Sequence, residues 1–409
     1  MLTLLRTRGA LRRLLLSHLQ SSLGTAAGYI ALLVLAYDRL HSPWAIALVL
    51  TADFLPSVLL APLAGALADR VSPRRMMLAA DVVRAVAFFG VAAADGFAGT
   101  VGFALLAGVG TTLYRPASKC ALPALAGLDR LGSAIGTWGA LDEIGTLIGP
   151  VIAAALFAFA GAVDVVRVNA VTFAISAAVA LSLPDVAERA ERAAGGVIAH
   201  LRDGLQVLRT TSGVRVLLAA SMASVMAGAL MNVVEPLLAR GSLHAGAQGF
   251  ALLVGLFSAG AVGASAWSAR EDAVSAYRRR YLIGFAFAAA GLLTSAIAPS
   301  LLVAGISFAV TGFGSALSLV HEQQLLQRAV PEHARGRVFG FKDSADAAAF
   351  VAAFALSAAL AANLGPRAVF ALSGAAVALA GIGAAWALRD RGGAMGREAV
   401  AAAGSRPRG

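Results

Sequence analysis

The stretch Gly65-Ala-Leu-Ala-Asp-Arg-Val-Ser-Pro-Arg-Arg75 joins two apolar blocks, residues 43–68 and 76–95, through a short loop crowded with arginine. A helix needs about 20 predominantly apolar residues to cross roughly 30 Å of hydrocarbon, because all of its backbone hydrogen bonds must be made inside the segment. Both blocks are long enough. The sequence therefore predicts two membrane-spanning helices that turn back at one face of a bilayer.

Ten more apolar blocks of similar length extend outward from this pair along the chain. They cover residues 14–36, 100–122, 133–161, 166–183, 214–239, 248–268, 281–298, 301–325, 337–362 and 367–388. The pattern predicts an all-α membrane protein with twelve transmembrane helices. An even number of spans places both ends of the chain on the same side of the lipid bilayer.

Basic residues are distributed very unevenly between the two sides of these spans. Of the 33 Lys and Arg residues, 29 fall on the side of the 65–75 loop, and the other side keeps only Arg39, Arg167, Arg240 and Arg367. Because near-membrane Lys and Arg collect on the cytoplasmic side, we expect a multi-pass protein of the inner (plasma) membrane with both termini cytoplasmic. The net charge of +11 is dispersed without interleaved aromatic residues, which argues against nucleic-acid binding.

The longest hydrophilic stretch separates the first six spans from the last six. Its apolar positions Val197, Leu201, Leu205 and Leu208 recur at helical spacing, which predicts an amphipathic helix along the membrane surface. The expected organisation is an N-terminal six-helix bundle at 1–183, a cytoplasmic linker at 184–213, a C-terminal six-helix bundle at 214–388 and a basic cytoplasmic tail at 389–409.

The two halves also resemble each other in sequence. Asp142 in the fifth span and Asp346 in the eleventh are 204 residues apart, and Gly136 and Gly340 match at the same offset. Six spans duplicated in parallel about an axis normal to the membrane are a transporter architecture. The halves are therefore expected to form two related bundles.

The loop motif resembles a signature of the major facilitator superfamily, Gly-x-Leu-Ala-Asp-Arg-x-Gly-Arg-Arg between the second and third spans. In that family the loop holds the cytoplasmic side shut through ion pairs that reach the other half. The resemblance implies a cytoplasmic gate formed by Gly65, Asp69, Arg70, Arg74 and Arg75. Ser72 and Pro73 depart from the family pattern. The alternative is that these arginines only follow the positive-inside distribution.

A second motif lies in the fifth span, where Gly145, Gly149 and Pro150 look like the Gly-x-x-x-Gly-Pro element of the same superfamily's exporters. Proline lacks an amide donor and favours a kink, which we expect to help one bundle rock on the other. A purely structural kink is the alternative. The stretch Tyr114-Arg-Pro-Ala117 further resembles the branch of bacterial macrolide and siderophore exporters. The arginine that drug antiporters use for coupling in span four is absent from Leu105-Leu-Ala-Gly108.

Acidic residues inside the spans are the candidates for proton coupling, since an ionised carboxylate at the bilayer centre costs at least about 2.5 kcal/mol. A rise of 1.5 Å per residue places Asp53, Asp142 and Asp346 roughly 15 Å from the ends of their spans, near the midplane. We hypothesise that Asp142 or Asp346, together with Asp53, exchanges a proton as the cavity changes sides. The full candidate set is Asp53, Asp142, Glu143, Asp343 and Asp346. The alternative is a static gate that pairs these acids with Arg115, Arg337 or Lys342.

Other polar residues inside the spans are candidates to line a central cavity. They are Gln20, Arg115, Asn169, Asn232, Glu235 and Glu322. Glu235 and Glu322 fall near the ends of their spans, so the alternative is that their side chains reach the lipid headgroups.

The sequence contains no phosphate-binding loop and no His or Cys cluster with metal-ligand spacing, so we expect neither an enzyme nor a cofactor or metal site. We interpret the chain as a monomeric secondary active transporter, a proton-driven antiporter for efflux of a small amphipathic organic compound (drug, macrolide or siderophore-like molecule) by alternating access. Such efflux confers drug resistance. Uptake of a small solute is the alternative within transport, and a non-transporting membrane receptor or scaffold is the alternative outside it.

Overall fold

Twelve long helices make up the described part of the chain in this computed structural model, which comprises residues 9–68, 70–185, 212–268, 274–330 and 332–389. They are α1 (Ala10–Leu40), α2 (Pro43–Ala68), α3 (Pro73–Ala93), α4 (Phe97–Ala126), α5 (Leu131–Leu156), α6 (Ala162–Leu181), α7 (Ser212–Leu237), α8 (Gly246–Ser268), α9 (Val274–Ile297), α10 (Leu301–Ala329), α11 (Glu332–Leu364) and α12 (Pro366–Arg389). Each is long and apolar enough to cross a membrane, so the prediction of twelve spans is confirmed.

Local sequence explains the tight connections of the first three helices. After α1, His41 adopts a left-handed backbone (φ 48°), and its N–H closes the last turn by donating to the carbonyl of Tyr37 at 2.7 Å. Pro73 occupies the first turn of α3, and the hydroxyl of Ser72 accepts a hydrogen bond from the backbone N–H of Arg75 at 3.4 Å. The short connections fold consecutive helices back antiparallel across the membrane.

The structure repeats the internal offset seen in the sequence. A side chain at Gly108 of α4 would overlap the backbone oxygen of Asp53 in α2, and a side chain at Gly312 of α10 would overlap the backbone oxygen of Phe257 in α8. Both members of the second contact lie 204 residues after those of the first. Small residues let neighbouring helices approach where lipid supplies little driving force for their association. The same close helix pair is therefore built once in each bundle.

The two faces of the membrane protein differ in how the bundles meet. We call the face where α1 begins and α12 ends the basic face, and the opposite one the far face. One continuous buried core joins residues of α1 and α2 to residues of α7 and α11. Its members in the first bundle lie toward the far face, whereas in the second bundle it also reaches residues near the basic face, such as Leu218 and Leu326. Toward the basic face, the first bundle has a separate core around Leu14, Leu15, Met76, Met77 and Leu141. The bundles are therefore joined at the far face and separated at the basic face.

Aromatic side chains mark the depth to which the bundles stay in contact. The ring of Phe54 in α2 stacks on that of Phe350 in α11 at 5.5 Å and meets the edge of Phe354 at 5.6 Å between centroids. In α8, a Cβ at Gly255 would lie 3.6 Å from Cβ of Pro150 in α5. We infer from these contacts that a cavity between the bundles opens to the basic face and ends at this contact zone.

Most of the predicted linker, residues 186–211, lies outside the described residues. Its amphipathic helix and the exact bundle boundaries stay predictions.

Candidate functional site

The first polar cluster of the cavity joins α1 to α5. Nε2 of His18 lies 2.9 Å from Oδ1 of Asp142, an ion-pair distance whose angle is not that of an aligned hydrogen bond. The hydroxyl of Ser22 donates to the same carboxylate oxygen at 3.2 Å. The ring of Trp138 stacks on His18, with centroids 3.5 Å apart. The Asp142 side chain is 55% exposed, whereas the His18 side chain is 9% exposed. The carboxylate therefore faces the cavity, and the imidazole beside it is buried.

The equivalent aspartate of the second bundle is paired differently. Nζ of Lys342 donates to Oδ2 of Asp346 at 2.6 Å, one turn along α11, and lies 3.5 Å from Oε1 of Glu322 in α10. The three side chains are 8%, 18% and 4% exposed. This buried cluster contains the pairing between Lys342 and Asp346 that the static-gate alternative named. Glu322 is enclosed within the second bundle and does not reach the headgroups.

The closed end of the cavity holds two more acids. The hydroxyl of Tyr29 in α1 lies within electrostatic reach of Glu235 in α7 and of Asp53 in α2. Arg115 of α4 is the charged neighbour of Asp53. Glu235 is only 6% exposed, so it does not reach the headgroups either. These residues come from both bundles and meet where the bundles touch.

A further ion pair is buried inside the first bundle, although its Arg84 is one of the 29 basic residues counted on the side of the 65–75 loop. Arg84 is 6% exposed and bonds to the Asp81 carboxylate one turn before it in α3. Its guanidinium lies 4.1 Å from the ring centroid of Tyr114 and 4.3 Å from that of Phe173. The signal that could have revealed the pair is the spacing of three residues between opposite charges inside an apolar span.

The gate motif contacts its own bundle in this conformation. A guanidinium nitrogen of Arg74 donates to the carbonyl of Leu181 at 2.7 Å, and Nε of Arg75 lies 3.4 Å from the Asp185 carboxylate. Arg70 is exposed, Gly65 has open space where a side chain would be, and Asp69 lies outside the described residues. These contacts fit a basic face that is open.

The kink motif lies between the two bundles. Gly145 packs so closely on Ser22 of α1 that an added Cβ would approach the Ser22 Cβ to 2.5 Å, and Gly149 packs on α1 one turn further along. Pro150 faces Gly255 of α8 in the other bundle. The helix α5 thus touches α1 on one side and α8 on the other.

The remaining candidates divide between the cavity and the bundle interior. Asn169 is fully buried against Gly28, and the amide of Gln20 donates to the carbonyl of Thr172 at 2.8 Å. Both sit between α1 and α6, so we leave them out of the proposed site. Glu143 and Arg115 are exposed, and Asn232 is half-buried. Asp343 lies on α11, but its side chain falls outside what the structure describes.

Among the described residues, no group of three or more His, Cys, Asp or Glu could hold a metal ion.

Sequence comparison places this architecture among known proteins. A family model of major facilitator proteins, described as transmembrane secretion effector, matches residues 5–399. The MFS-type transporter YfiS of Bacillus subtilis (strain 168) is 26% identical over 403 residues, which cover 93% of each protein. The multi-drug resistance efflux pump PmrA homolog of Lactococcus lactis subsp. lactis (strain IL1403) is 26% identical over 294 residues, 70% of this chain and 71% of that protein. Macrolide efflux protein A of Enterococcus faecalis is 23% identical over 45% of this chain and 59% of that protein.

Solved structures show the same fold at low identity. The nucleoside transporter NupG superposes with a TM-score of 0.77 at 11% identity, and the match covers 93% of this chain and 99% of NupG. A bacterial homologue of the iron transporter ferroportin, in an inward-facing state, superposes with a TM-score of 0.71 at 16% identity and covers 92% of this chain and 98% of that one. At this identity the likeness concerns the fold alone.

Proposed function

The chain belongs to the transmembrane secretion effector family of the major facilitator superfamily, and from this membership we propose that it exports a small amphipathic organic compound in exchange for protons. The family is one of membrane transporters and not of enzymes. Efflux pumps among the relatives support export as the direction. We further propose that the basic face is cytoplasmic, that the protein resides in the plasma membrane, and that one copy suffices because the cavity lies within one chain.

The observation that carries the proposal is the one-sided closure of the cavity. The bundles share a buried core and the Phe54 contacts toward the far face, whereas Asp142, near the midplane by sequence depth, is 55% exposed. A site reached from one face and sealed from the other is what alternating access requires. Rocking of the bundles would close the basic face and open the far face. The cytoplasmic gate at residues 65–75 would then engage.

Proton exchange is assigned to the pair formed by His18 and Asp142. Nε2 of His18 lies 2.9 Å from the Asp142 carboxylate at the cavity wall, which places two groups that can hold a proton within reach of each other. The Lys342 cluster is more deeply buried and already holds one cation between two acids. We propose that it stabilises the second bundle and that Asp142 carries the exchanged proton. Asp53, Glu143 and Asp343 are secondary candidates.

Reconstituted transport tests this proposal. Purified protein in liposomes, with an imposed pH gradient and a trapped pH dye, should move ethidium or erythromycin against protons. Asp142→Asn should reduce substrate-driven proton flux by at least about tenfold, because it removes the proposed proton carrier. Asp346→Asn should reduce the flux less, because it removes only one buried contact. Asp164→Asn is the matched control, since Asp164 pairs at 2.9 Å with Arg167 on the far-face surface.

Three outcomes separate the alternatives in cells that lack their own drug pumps. Lower accumulation of the same compounds on expression supports export. Higher accumulation supports uptake, and unchanged accumulation of every compound supports a scaffold. Transport that persists unchanged after a proton ionophore collapses the gradient would reject proton coupling.

A further inference from the structure

The carboxylate of Glu235 is the least compensated charge at the closed end of the cavity. Glu235 is 6% exposed and lies toward the far-face end of the candidate span Leu217–Ser242. Within the described part of the chain, no lysine, arginine or histidine pairs with it and no side chain donates a hydrogen bond to it. A buried carboxylate of this kind inside a membrane span is expensive, and a bound ligand is one way in which its cost is offset.

The carboxylate is reached from the cavity along one face of α7. Gly228, Asn232 and Glu235 lie four and then three residues apart, which puts them on a single helix face. Their exposure falls along this face, from exposed Gly228 to half-buried Asn232 to buried Glu235. Tyr29 of α1 lies within electrostatic reach of Glu235 and of one other acid, Asp53 of α2, and both Tyr29 and Asp53 belong to the opposite bundle. Glu235 therefore points into the seam between the bundles, at the blind end of the open cavity.

The balance of charge at this end is negative. Asp53 and Glu235 both lie close to Tyr29, and Arg115 is the cation beside Asp53. The duplicated aspartates do not change this balance, because Asp142 is held by His18 and Asp346 by Lys342. One carboxylate thus remains without a cation among the described residues.

The walls beside these acids are aromatic and apolar. Phe54, Phe350 and Phe354 form a cluster with centroids 5.5 to 5.9 Å apart, next to Asp53 along the chain. Aromatic faces attract cations, and apolar walls suit the body of an amphipathic molecule. The site thus combines a negative anchor with an aromatic wall.

We propose that Glu235 binds the positive charge of the substrate, and that the compound carried by this chain is an amphipathic organic cation. The inference rests on the proposed transport function, whose substrate class it narrows. The bound cation would sit between α1 and α7, where its charge contacts residues of both bundles at once. Its binding is therefore coupled to the seam that alternating access must open.

Two ions of matched size and opposite charge test the proposal directly. Tetraphenylphosphonium and tetraphenylborate share a shape and an apolar surface, so their binding to the full-length protein in nanodiscs, corrected for empty nanodiscs, isolates the effect of charge. Wild type should bind the phosphonium more tightly. Glu235→Gln should weaken phosphonium binding by about tenfold or more and should not weaken borate binding, because the neutral amide removes the attraction. Glu235→Asp should keep the preference for the cation.

Asp164→Asn removes a carboxylate that lies outside the cavity and should leave both affinities unchanged. The proposal is overturned if wild type shows no preference for the phosphonium, or if Glu235→Gln retains that preference. The wild-type result decides the question even where a variant does not fold. Export of neutral compounds with no phosphonium binding would overturn only this inference, whereas phosphonium binding at Glu235 without gradient-driven movement would overturn only the transport proposal.

Discussion

Arg240, three residues after the end of α7, lies 2.5 Å from Asp38 of α1, so an ion pair connects the two bundles at the far face. The same guanidinium lies 5.4 Å from the ring of Tyr37, and its Nη1 lies 3.4 Å from the carbonyl oxygen of Val34. All three partners belong to the first bundle. Any movement that opens the far face must separate them.

Removing this ion pair should favour the conformation that is open at the far face. The Arg240 and Asp38 side chains are 23% and 41% exposed, and partly exposed pairs contribute about 0.2–1 kcal/mol, so we expect a shift of roughly two- to fivefold for Arg240→Gln. The measurement is labelling of a cysteine introduced at Thr25, from each side, in a Cys120→Ser background. Arg167→Gln breaks a pair within α6 and should not change the labelling. Equal labelling of the Arg240 variant and wild type would contradict the role of the pair.

Replacing His18 should reduce proton-coupled transport. His18→Gln keeps a polar side chain next to Asp142 but removes the imidazole whose Nε2 lies 2.9 Å from the carboxylate, so substrate-driven proton flux should fall. The measurement is initial flux in liposomes. His244→Gln, in the exposed connection before α8, is the control and should retain the wild-type flux. An unchanged flux in His18→Gln would assign coupling elsewhere.

Removing the buried lysine should destabilise the second bundle. Lys342→Met leaves Glu322 and Asp346 without their cation, and breaking a buried ion pair by removing one partner costs about 3–5 kcal/mol. The measurement is the thermal unfolding temperature in detergent. Lys119→Met, at an exposed position in α4, should have little effect. Adding Glu322→Gln to Lys342→Met should restore part of the loss, and a further loss in the double variant would speak against the pairing.

A single methyl group at Gly108 should be poorly tolerated. Gly108→Ala places that group against the backbone oxygen of Asp53, and overpacking of this kind typically costs about 1–3 kcal/mol. Gly312→Ala should cost a similar amount against Phe257. Gly102→Ala in the same helix meets open space and should be neutral or stabilising. Equal unfolding temperatures for Gly108→Ala and Gly102→Ala would show that α2 and α4 can move apart at no cost.

The twelve helices could be predicted because membrane spans require long apolar segments, and the blocks read from the sequence fall on α1 to α12 in order. The pairing of side chains could not be predicted in the same way, because the sequence of a helix that is apolar on most sides does not show how the helix is rotated about its own axis. Trp138 illustrates the difference, since the apolar pattern of α5 does not reveal that its ring stacks on His18 of α1. Arg84 is another case, because the equivalent position in the second bundle is Ala288.

The sequence also could not predict to which face of the membrane the cavity opens in this conformation. The sequence of a transporter must satisfy every conformation of its cycle. A small residue such as Gly65, which has open space around it here, therefore need not make its close contact in this conformation. The duplicated aspartates were found by their offset, but their unlike partners, His18 and Lys342, depend on residues that the two halves do not share.

The first bundle contributes to the shared core only through residues toward the far face, which bears on how such a protein separates two compartments. A state with both ends open would give up this apolar contact before gaining any replacement at the basic face. We therefore expect that state to be the least favourable point of the cycle, and we expect ions to find no continuous water-filled route through the molecule during turnover.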